Sequence, residues 1–338
     1  MNNYLVTGGF GFIGSHLVQE LLKTPNNRVW IIDDGTNATW NPRKGRIDYE
    51  VYVRDLLVQL MGGYEVDTDS RNPSMVCIGG DCAHRNVLDR IRAGHFSAVF
   101  HLAADSSVVK SIEEPLVTLE RNVAKTLQIA KACAEGDTRL IFSSSAAVYG
   151  NPLTMQPTLE SSEKNPVNPY GLSKLTCENW LNTYKDLYNL DYVSLRYFNV
   201  YGSRQLGGSP YAGVIGNWVH ALHYNKPMII YGDGEQTRDF IHVKDVVDAN
   251  IKSAEVDNFN SLRIFNICSN TSISLNNLAT AFSDCLEKKV PLRYEEGRKN
   301  EVRVSIGSNE AALNKLNWKP SVSLEEGLTK TFYWRGLL

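Results

Sequence analysis

The stretch Tyr4-Leu-Val-Thr-Gly-Gly-Phe-Gly-Phe-Ile-Gly14 decides the fold of this chain. A run of strand-forming residues leads directly into glycines at positions 8, 11 and 14, and a helix start follows at residues 15–18. Glycine permits a tight turn and lets backbone N–H groups approach a pyrophosphate at the helix N-terminus, where the helix dipole favours an anion. The spacing differs from the commonest dinucleotide fingerprint, and a plain strand–turn–helix is the alternative.

Asp33 supports the dinucleotide interpretation, because it ends the next predicted strand, 19 positions after Gly14. A carboxylate at this place can accept hydrogen bonds from the hydroxyls of an adenosine ribose. It also disfavours a 2′-phosphate, so the pattern predicts NAD rather than NADP as the cofactor.

The first two hundred residues alternate apolar runs of strand length with amphipathic segments of helix length, which predicts a parallel sheet covered on both faces. The predicted strands span residues 4–7, 29–33, 75–78, 98–101, 139–143 and 192–196, and helices are predicted to begin near Gly11, Val87, Pro115 and Pro169. The segment 37–74 fits this pattern less well, and we interpret it as an enlarged connection with one helix.

The rest of the chain predicts a second, smaller lobe. A loop rich in Gly, Ser and Pro at 202–216 leads into a strand at 228–231. The chain is then predicted to return to the sheet at 243–253 and 263–267. The tail from about residue 272 is predicted as helix, strand and helix.

Composition excludes several functional classes. The 338 residues are 43% hydrophobic and carry 35 basic and 37 acidic side chains, a balance that argues against a nucleic-acid or membrane-surface protein. The six cysteines include no C-x-x-C pair, so we expect reduced thiols and neither a disulfide framework nor a metal site. No signal-peptide pattern and no apolar run of bilayer length is found, and we therefore expect a cytoplasmic protein.

A tyrosine and a lysine stand one helical turn apart in Tyr170-Gly-Leu-Ser-Lys174. A free phenol has a pKa of about 10, and a nearby ammonium group lowers it. The pair can therefore supply a base for an alcohol that loses hydride. The spacing alone also fits two ordinary surface residues, but downstream of a dinucleotide turn it indicates oxidation or reduction at a carbinol.

A serine-rich turn, Ser143-Ser-Ser-Ala-Ala-Val-Tyr-Gly150, follows the strand predicted at 139–143. Ligands of open α/β sheets bind at the carboxyl ends of the strands, so a hydroxyl at this place can contact the reacting alcohol. An ordinary serine-rich turn is the alternative.

Taken together, these stretches resemble the extended short-chain dehydrogenase/reductases, in particular their nucleotide-sugar 4-epimerases. The resemblance rests on residues 7–14, 101–104, 143–150, 169–174 and 196–199 and continues through 211–215, 232–234, 238–240 and 298–305. It implies a Rossmann-type doubly wound parallel sheet with a smaller C-terminal α/β substrate lobe. Residues 1–198 plus about 241–268 would bind NAD, and about 199–240 plus 269–338 would bind the nucleotide sugar.

The resemblance also implies roles for single residues. Tyr170 is expected as the base, Lys174 as its electrostatic partner and nicotinamide-ribose ligand, and Ser145 as the hydroxyl at the sugar O4. Cys82 is a mild departure, since the family usually has Ile or Val beside the adenine. The further cofactor contacts implied are Gly8, Gly11, Phe12, Ile13, Gly14, Asp33, Asp81, Cys82, Leu102, Ala103, Ala104, Asn122, Ser143 and Tyr197.

The substrate contacts that the resemblance implies form a second set. Asn199 is expected to face the diphosphate, and two arginines are expected to clamp it, which agrees with the bidentate match between guanidinium and phosphate. Besides Ser145 and Tyr170, the set contains Ser107, Asn199, Val214, Tyr231, Arg238, Arg298 and Ser305.

The turn after Ser145 favours simple redox chemistry at C4. The related 4,6-dehydratases carry Asp-Glu before Val-Tyr-Gly, and the glucuronate decarboxylases carry a Glu there, whereas this chain has Ala146 and Ala147. The resemblance therefore implies a UDP-hexose 4-epimerase that works through a transient 4-keto sugar. The alternatives are a uronate 4-epimerase, a net C4 reductase or dehydrogenase, and a non-catalytic nucleotide-binding protein.

Ser305 concerns the choice of sugar. It aligns with the family's gate beside the sugar C2 group, where a Tyr narrows the pocket to hexoses without an acetyl group. A serine leaves room for UDP-N-acetylglucosamine and UDP-N-acetylgalactosamine as well as UDP-glucose and UDP-galactose; an exposed strand residue is the alternative. The resemblance finally implies a homodimer formed through paired helices.

Overall fold

An eight-stranded sheet forms the centre of the part of the chain that the computed structural model describes, namely residues 2–36, 38–39, 66–68, 74–152, 156–208, 212–256, 262–297 and 302–338. Its strand order is β12-β7-β6-β5-β1-β2-β4-β3, with β3 antiparallel to β4 and all other pairs parallel. The strands are β1 Asn2–Thr7, β2 Asn27–Asp33, β3 Val66–Thr68, β4 Met75–Gly79, β5 Ala98–His101, β6 Arg139–Ser145, β7 Tyr192–Tyr197 and β12 Ile264–Ile267.

Helices cover both faces of this sheet. Alternate residues of one strand face opposite sides, so Val6 packs with the helices at 12–21 and 243–255, while Leu5 packs with those at 85–92, 125–135 and 169–188. Because both faces are buried, a central strand such as β5 begins with a continuous apolar run, as predicted. The helices of this lobe are α1 Phe12–Leu21, α2 Arg85–Arg92, α3 Val108–Glu113, α4 Pro115–Thr118, a π-helical turn Leu119–Ala124, α5 Lys125–Glu135, α6 Pro169–Tyr188, α8 Val243–Glu255 and α10 Glu310–Leu316.

The smaller lobe has its own apolar core, in which Trp218, Met228, Phe282 and Phe332 are buried. Three short strand pairs support it, two of them parallel (β8 with β11, β9 with β14) and one antiparallel (β10 with β13). Its elements are β8 Asn199–Tyr201, α7 Val214–His223, β9 Met228–Tyr231, β10 Thr237–Arg238, β11 Phe240–His242, β13 Ile273–Ser274, α9 Leu275–Cys285, β14 Leu292–Glu295 and α11 Leu324–Arg335.

The predicted fold class, an α/β protein with a doubly wound parallel sheet, is confirmed, but the predicted tail was incomplete. We expected helix, strand and helix there, whereas α10 adds a further helix. Ala312, Leu316 and Trp318 of that segment pack in the same buried cluster as Val6, so this part of the tail lies on the sheet. The division into two domains stays a prediction, and the helix expected within 37–74 lies outside the described residues.

The strand order places a crevice at the carboxyl ends of the central strands. From β1 the chain proceeds outward through β2 and β4, and from β5 it proceeds in the opposite direction through β6 and β7. Connections therefore diverge at the carboxyl ends of β1 and β5, the place where open α/β sheets bind ligands.

Candidate active site

A cavity of about 1350 Å³ opens at this switch point and extends between the two lobes. Most of the predicted site residues line it, although they come from distant parts of the chain. The predicted residues among its lining are Gly8, Gly11, Phe12, Ile13, Gly14, Asp33, Asp81, Cys82, Leu102, Ala103, Ala104, Ser107, Ser143, Ser145, Tyr170, Lys174, Tyr197, Asn199, Val214, Arg238 and Ser305.

The glycine turn needs glycine for two different reasons. Gly8 has a φ of +69°, and a Cβ there would lie 2.9 Å from the Ala103 nitrogen. A Cβ on Gly14 would lie 2.1 Å from the Gly8 carbonyl oxygen, so α1 starts in direct contact with the turn. The first residues of α1 line the cavity with their N–H end toward it, which fits the pyrophosphate of a dinucleotide.

Asp33 is held beside this turn by two backbone hydrogen bonds. Its Oδ2 accepts from the Phe10 nitrogen at 2.9 Å and its Oδ1 from the Gly35 nitrogen at 2.8 Å. Burial raises the pKa of Asp33 to about 6, although these two hydrogen bonds oppose the shift. Each carboxylate oxygen keeps a free acceptor site, as hydrogen bonds from two ribose hydroxyls require.

An ion pair marks the far end of the cavity, where Asp81 and Cys82 lie. Lys125 Nζ is 2.8 Å from Asp81 Oδ2. Partial burial would raise the pKa of Asp81, but the hydrogen bond from Lys125 lowers it overall. Burial raises the pKa of Cys82 to about 12, so this thiol is a small apolar wall and not a nucleophile.

A directed chain of hydrogen bonds lies under the switch point and joins β1, β5 and α5. Thr126 Oγ1 donates to the Asn122 carbonyl at 2.6 Å, so it accepts from His101 Nε2 at 2.9 Å. His101 Nδ1 then accepts from Thr7 Oγ1 at 2.7 Å, and Thr7 Oγ1 accepts from the Ala103 nitrogen at 3.1 Å. Burial, helped by the charge of Lys174, lowers the pKa of His101 to about 3, so the imidazole is neutral.

Ser145, Tyr170 and Lys174 meet at the centre of the cavity. Ser145 Oγ accepts from the Ala147 nitrogen at 3.1 Å, and hydrogen bonding with Ser145 lowers the pKa of Tyr170 against the effect of burial. Lys174 Nζ donates to the Ser143 carbonyl at 2.7 Å and lies 5.9 Å from the centre of the Tyr170 ring. The predicted helical spacing therefore places both side chains beside the serine turn, with Lys174 anchored to the strand end.

The titration of this group differs from the sequence expectation in one respect. We expected Lys174 to lower the pKa of Tyr170, but burial raises that pKa above 10, and the opposing influence is the hydrogen bond with Ser145. Burial also lowers the pKa of Lys174 to about 8. In the protein alone Tyr170 is therefore protonated at neutral pH, so it must lose this proton before it can act as a base.

The small lobe supplies polar groups to the opposite wall of the cavity. Asn199 Nδ2 donates to the Asp239 carbonyl at 2.8 Å and lies 3.4 Å from Ser305 Oγ. Arg238 Nη1 donates to the carbonyls of Thr237 at 2.9 Å and of residue 302 at 2.6 Å, so one edge of the guanidinium is fixed in the wall.

Two predicted site residues do not line the cavity, and a third lies outside the described residues. Asn122 does not line the cavity: it is buried, its Oδ1 accepts from the Asp105 nitrogen at 2.8 Å, and its Nδ2 donates to the Asp105 carbonyl and to Ser173 Oγ. Its hydrogen bonds support the cavity wall, and its expected cofactor contact stays a prediction. Tyr231, at the end of β9, is not among the described residues that line the cavity. Arg298 lies outside the described residues.

Sequence reasoning missed several residues of the site. Arg121 and Lys125 line the cavity, and their positions next to and one helical turn after Asn122 are a signal that could have identified them. Ser111 contacts Tyr170 through a backbone hydrogen bond, and no sequence pattern indicated it.

Comparisons with known proteins agree with this geometry. The sequence profile of the NAD dependent epimerase/dehydratase family matches residues 4–268. The UDP-glucose 4-epimerase of Mycolicibacterium smegmatis is 30% identical over 331 residues, which cover 97% of this chain and 96% of that protein.

Two solved structures extend the comparison. The UDP-N-acetylglucosamine 4-epimerase of Methanobrevibacter ruminantium M1, in complex with UDP-N-acetylmuramic acid, has a TM-score of 0.83 and 36% identity over 98% of this chain and 97% of its own. The UDP-glucuronic acid 4-epimerase of Bacillus cereus, in complex with UDP-glucuronic acid and NAD, has a TM-score of 0.81 and 25% identity over 99% of both chains.

These findings confirm the predicted family, the predicted class of enzyme, an isomerase, and NAD as its cofactor. Among the residues that the structure describes, no helix has the length and apolar content needed to cross a membrane. The cytoplasmic location and the lack of a nucleic-acid partner stay predictions. The profile match, the similar chains and the shared fold show that this chain belongs to the NAD-dependent epimerase/dehydratase family and, within it, to the UDP-sugar 4-epimerases.

Proposed function

We propose that this protein interconverts the C4 epimers of UDP-hexoses and accepts UDP-N-acetylglucosamine and UDP-N-acetylgalactosamine as well as UDP-glucose and UDP-galactose. The observation that carries the proposal is the meeting of Ser145, Tyr170 and Lys174 in the cavity that also holds the glycine turn. Ala146 and Ala147 line the same wall. Neither of them offers a carboxyl group for elimination, which favours a reaction that changes only the configuration at C4.

The three central residues would share the proton chemistry. Tyr170 receives the proton of the sugar O4 hydroxyl and later returns it, while Ser145 donates a hydrogen bond to the same oxygen. Lys174 stabilises negative charge on the phenol oxygen as the proton leaves. When bound, NAD supplies the hydride acceptor for the first half of the reaction and the donor for the second.

The small lobe would hold the nucleotide while the sugar turns. Arg238 lines the cavity with its Nη1 fixed by two backbone carbonyls, and we expect its guanidinium to bind the diphosphate. Asn199 and Ser107 would contribute hydrogen bonds. The roles of Arg298 as a second phosphate ligand and of Val214 and Tyr231 as further contacts stay predictions.

Ser305 supports the wider choice of sugars. Its side chain lines the cavity and lies 3.4 Å from Asn199 Nδ2, on the wall opposite the central residues. A tyrosine at this position would add a phenol ring to the space beside the sugar. The small serine leaves that space for an N-acetyl group at C2.

The experiment that tests this function uses UDP-glucose and UDP-N-acetylglucosamine separately, and resolves the epimers after incubation. We expect both to be epimerised, without net absorbance change at 340 nm because the cofactor is regenerated in each turnover. Ser305→Tyr should lose turnover of the N-acetylated substrate by at least about tenfold and keep UDP-glucose turnover.

Other outcomes would point to the alternatives. Turnover of UDP-glucose alone by the unaltered protein would contradict the wider choice of sugars. Exclusive turnover of UDP-glucuronic acid would favour a uronate epimerase, and stoichiometric consumption of added cofactor would favour a reductase or dehydrogenase. Unchanged turnover by Tyr170→Phe would contradict the catalytic role of Tyr170.

We also propose that the protein forms a homodimer. The helices α3, α4 and α6 and the π-helical turn pack side by side, and apolar side chains project from this surface into solvent. An exposed apolar patch of this kind is typical of a protein–protein interface. Its most exposed members are Ile112, Leu116, Leu119, Leu172, Trp180 and Leu187.

A further inference from the structure

Ser111 is a buried serine that contacts the backbone of the proposed base. Its Oγ donates to the Val108 carbonyl at 2.7 Å and accepts from the Tyr170 nitrogen at 3.1 Å. The residue is fully buried, at 0% exposure. The Ser111 hydroxyl therefore donates a hydrogen bond within its own helix, α3, and accepts one from α6.

The N-terminus of α6 explains why this contact matters. The first amide groups of a helix have no partner within the helix and need one from elsewhere. Pro169 has no N–H, and the Gly171 amide donates to Asn168 Oδ1 at 2.8 Å. The amide of Tyr170 lies between them, and its partner comes from α3.

The helix α3 contacts both the cavity and the first turn of α6. Ser107, Val108 and Ile112 line the cavity, and Ser107 Oγ caps the helix by accepting from the Lys110 nitrogen at 3.0 Å. Ser111 lies on the same helix and contacts Tyr170. The wall of the substrate cavity and the first turn of α6 are therefore joined through one side chain.

We propose that Ser111 is a positioning residue for catalysis, which ties the first turn of α6 to α3 and so holds Tyr170 beside the serine-rich turn. The inference rests on the proposed function, because it takes Tyr170 as the group that exchanges the substrate proton. Removal of the hydroxyl leaves a buried N–H without an acceptor and releases the turn. Small displacements of a catalytic group cost rate rather than affinity.

The test compares Ser111→Ala and Ser111→Cys with the control Ser253→Ala. Cysteine fills the site with a slightly larger side chain, and its sulfur is only a weak acceptor. Ser253 is equally buried and donates to the Ala249 carbonyl at 2.7 Å within α8, so its loss removes a similar bond without touching α6. Turnover of UDP-glucose, KM, the pH profile of kcat/KM and Tm are measured for each.

We expect both Ser111 variants to lower kcat by about tenfold with KM changed by less than about twofold, as for an interaction that matters in the transition state. The hydrogen bond with Ser145 lowers the pKa of Tyr170, so a displaced phenol should move the pH profile of kcat/KM toward higher pH. Ser253→Ala should lower Tm and leave kcat and the pH profile unchanged.

The result that would overturn the proposal is a Ser111 variant that loses Tm as Ser253→Ala does while kcat and the pH profile stay unchanged. If Ser111→Ala does not fold, the same comparison is decided by Ser111→Cys. Tyr170→Phe distinguishes failure of the proposed function from failure of the positioning role alone. If Tyr170→Phe keeps full turnover, the proposed function fails; if it is inactive and the Ser111 variants are fully active, only the positioning role fails.

Discussion

At the scale of single residues, burial and not charge dominates the titration of the site. Tyr170, Lys174, His101 and Asp33 all have pKa values displaced toward their neutral forms, and in each case desolvation is the largest cause. The sequence spacing predicted the Tyr–Lys pair correctly. It could not predict the sign of the Tyr170 shift, because that sign depends on how deeply the fold buries the ring.

Asp33 gives a pH dependence that follows from this burial. Its carboxyl has a pKa of about 6, and the ionised form is the one that accepts two ribose hydroxyls. Below that value the carboxyl is increasingly protonated, so we expect the Kd for NAD to rise by about tenfold between pH 7.5 and pH 5. Titration calorimetry on protein freed of bound nucleotide measures the effect.

The matched control is Asp33→Asn, which has a similar shape and no titration in this range. It should bind NAD weakly at both pH values and show no pH dependence that comes from this site. A Kd of the unaltered protein that stays constant from pH 7.5 to pH 5 would contradict the role of the Asp33 carboxylate.

At the scale of elements, the first turn of α6 is the most constrained part of the site. Asn168 and Pro169 predicted the helix start correctly, because capping and the fixed φ of proline are local properties. The contacts that aim the turn are not local. Ser111 reaches it from α3, and Gly171 packs against the Ala147 carbonyl of the serine-rich turn.

Gly171→Ala tests the second of these contacts. Alanine is favoured over glycine within a helix by about 1 kcal/mol, so helix propensity alone predicts stabilisation. The new Cβ would lie 2.5 Å from the Ala147 carbonyl oxygen, which is too close for a carbon atom. Because that oxygen belongs to the backbone, a side-chain rotation cannot relieve the clash. We expect a lower Tm and a loss of kcat of about a hundredfold, since the turn that carries Tyr170 must move away from Ser145.

Gly336→Ala is the control for general destabilisation. Gly336 ends α11 with a φ of +72°, and a Cβ there meets no atom within 4 Å. This variant should lose stability through backbone strain and keep its kcat. Full activity of Gly171→Ala would show that the serine turn adapts and that Gly171 does not position Tyr170.

At the scale of the whole molecule, the order of strands and helices along the chain was easier to predict than contacts between residues that are distant in sequence. The alternation of apolar runs and helices was sufficient to predict the parallel sheet. The position of Trp318 was not predictable in this way, because its side chain packs on a sheet whose strands lie far away in sequence. The hydrogen bonds of Asn122 with Asp105 and Ser173 were not predictable for the same reason.

The apolar surface of α3, α4 and α6 leads to a prediction about assembly. We expect light scattering to give twice the 37.8 kDa mass of one chain at micromolar concentration. Leu116, 78% exposed on α4, lies on this surface, and Leu116→Glu would place a charge in the interface of both copies of a symmetric dimer. This variant should give the mass of one chain with an unchanged Tm for the remaining fold.

Leu313→Glu is the control, because Leu313 is 44% exposed on α10 and its substitution should leave the dimer intact. A dimer that persists in Leu116→Glu would show that other surfaces pair, and a monomeric unaltered protein would contradict the assembly itself.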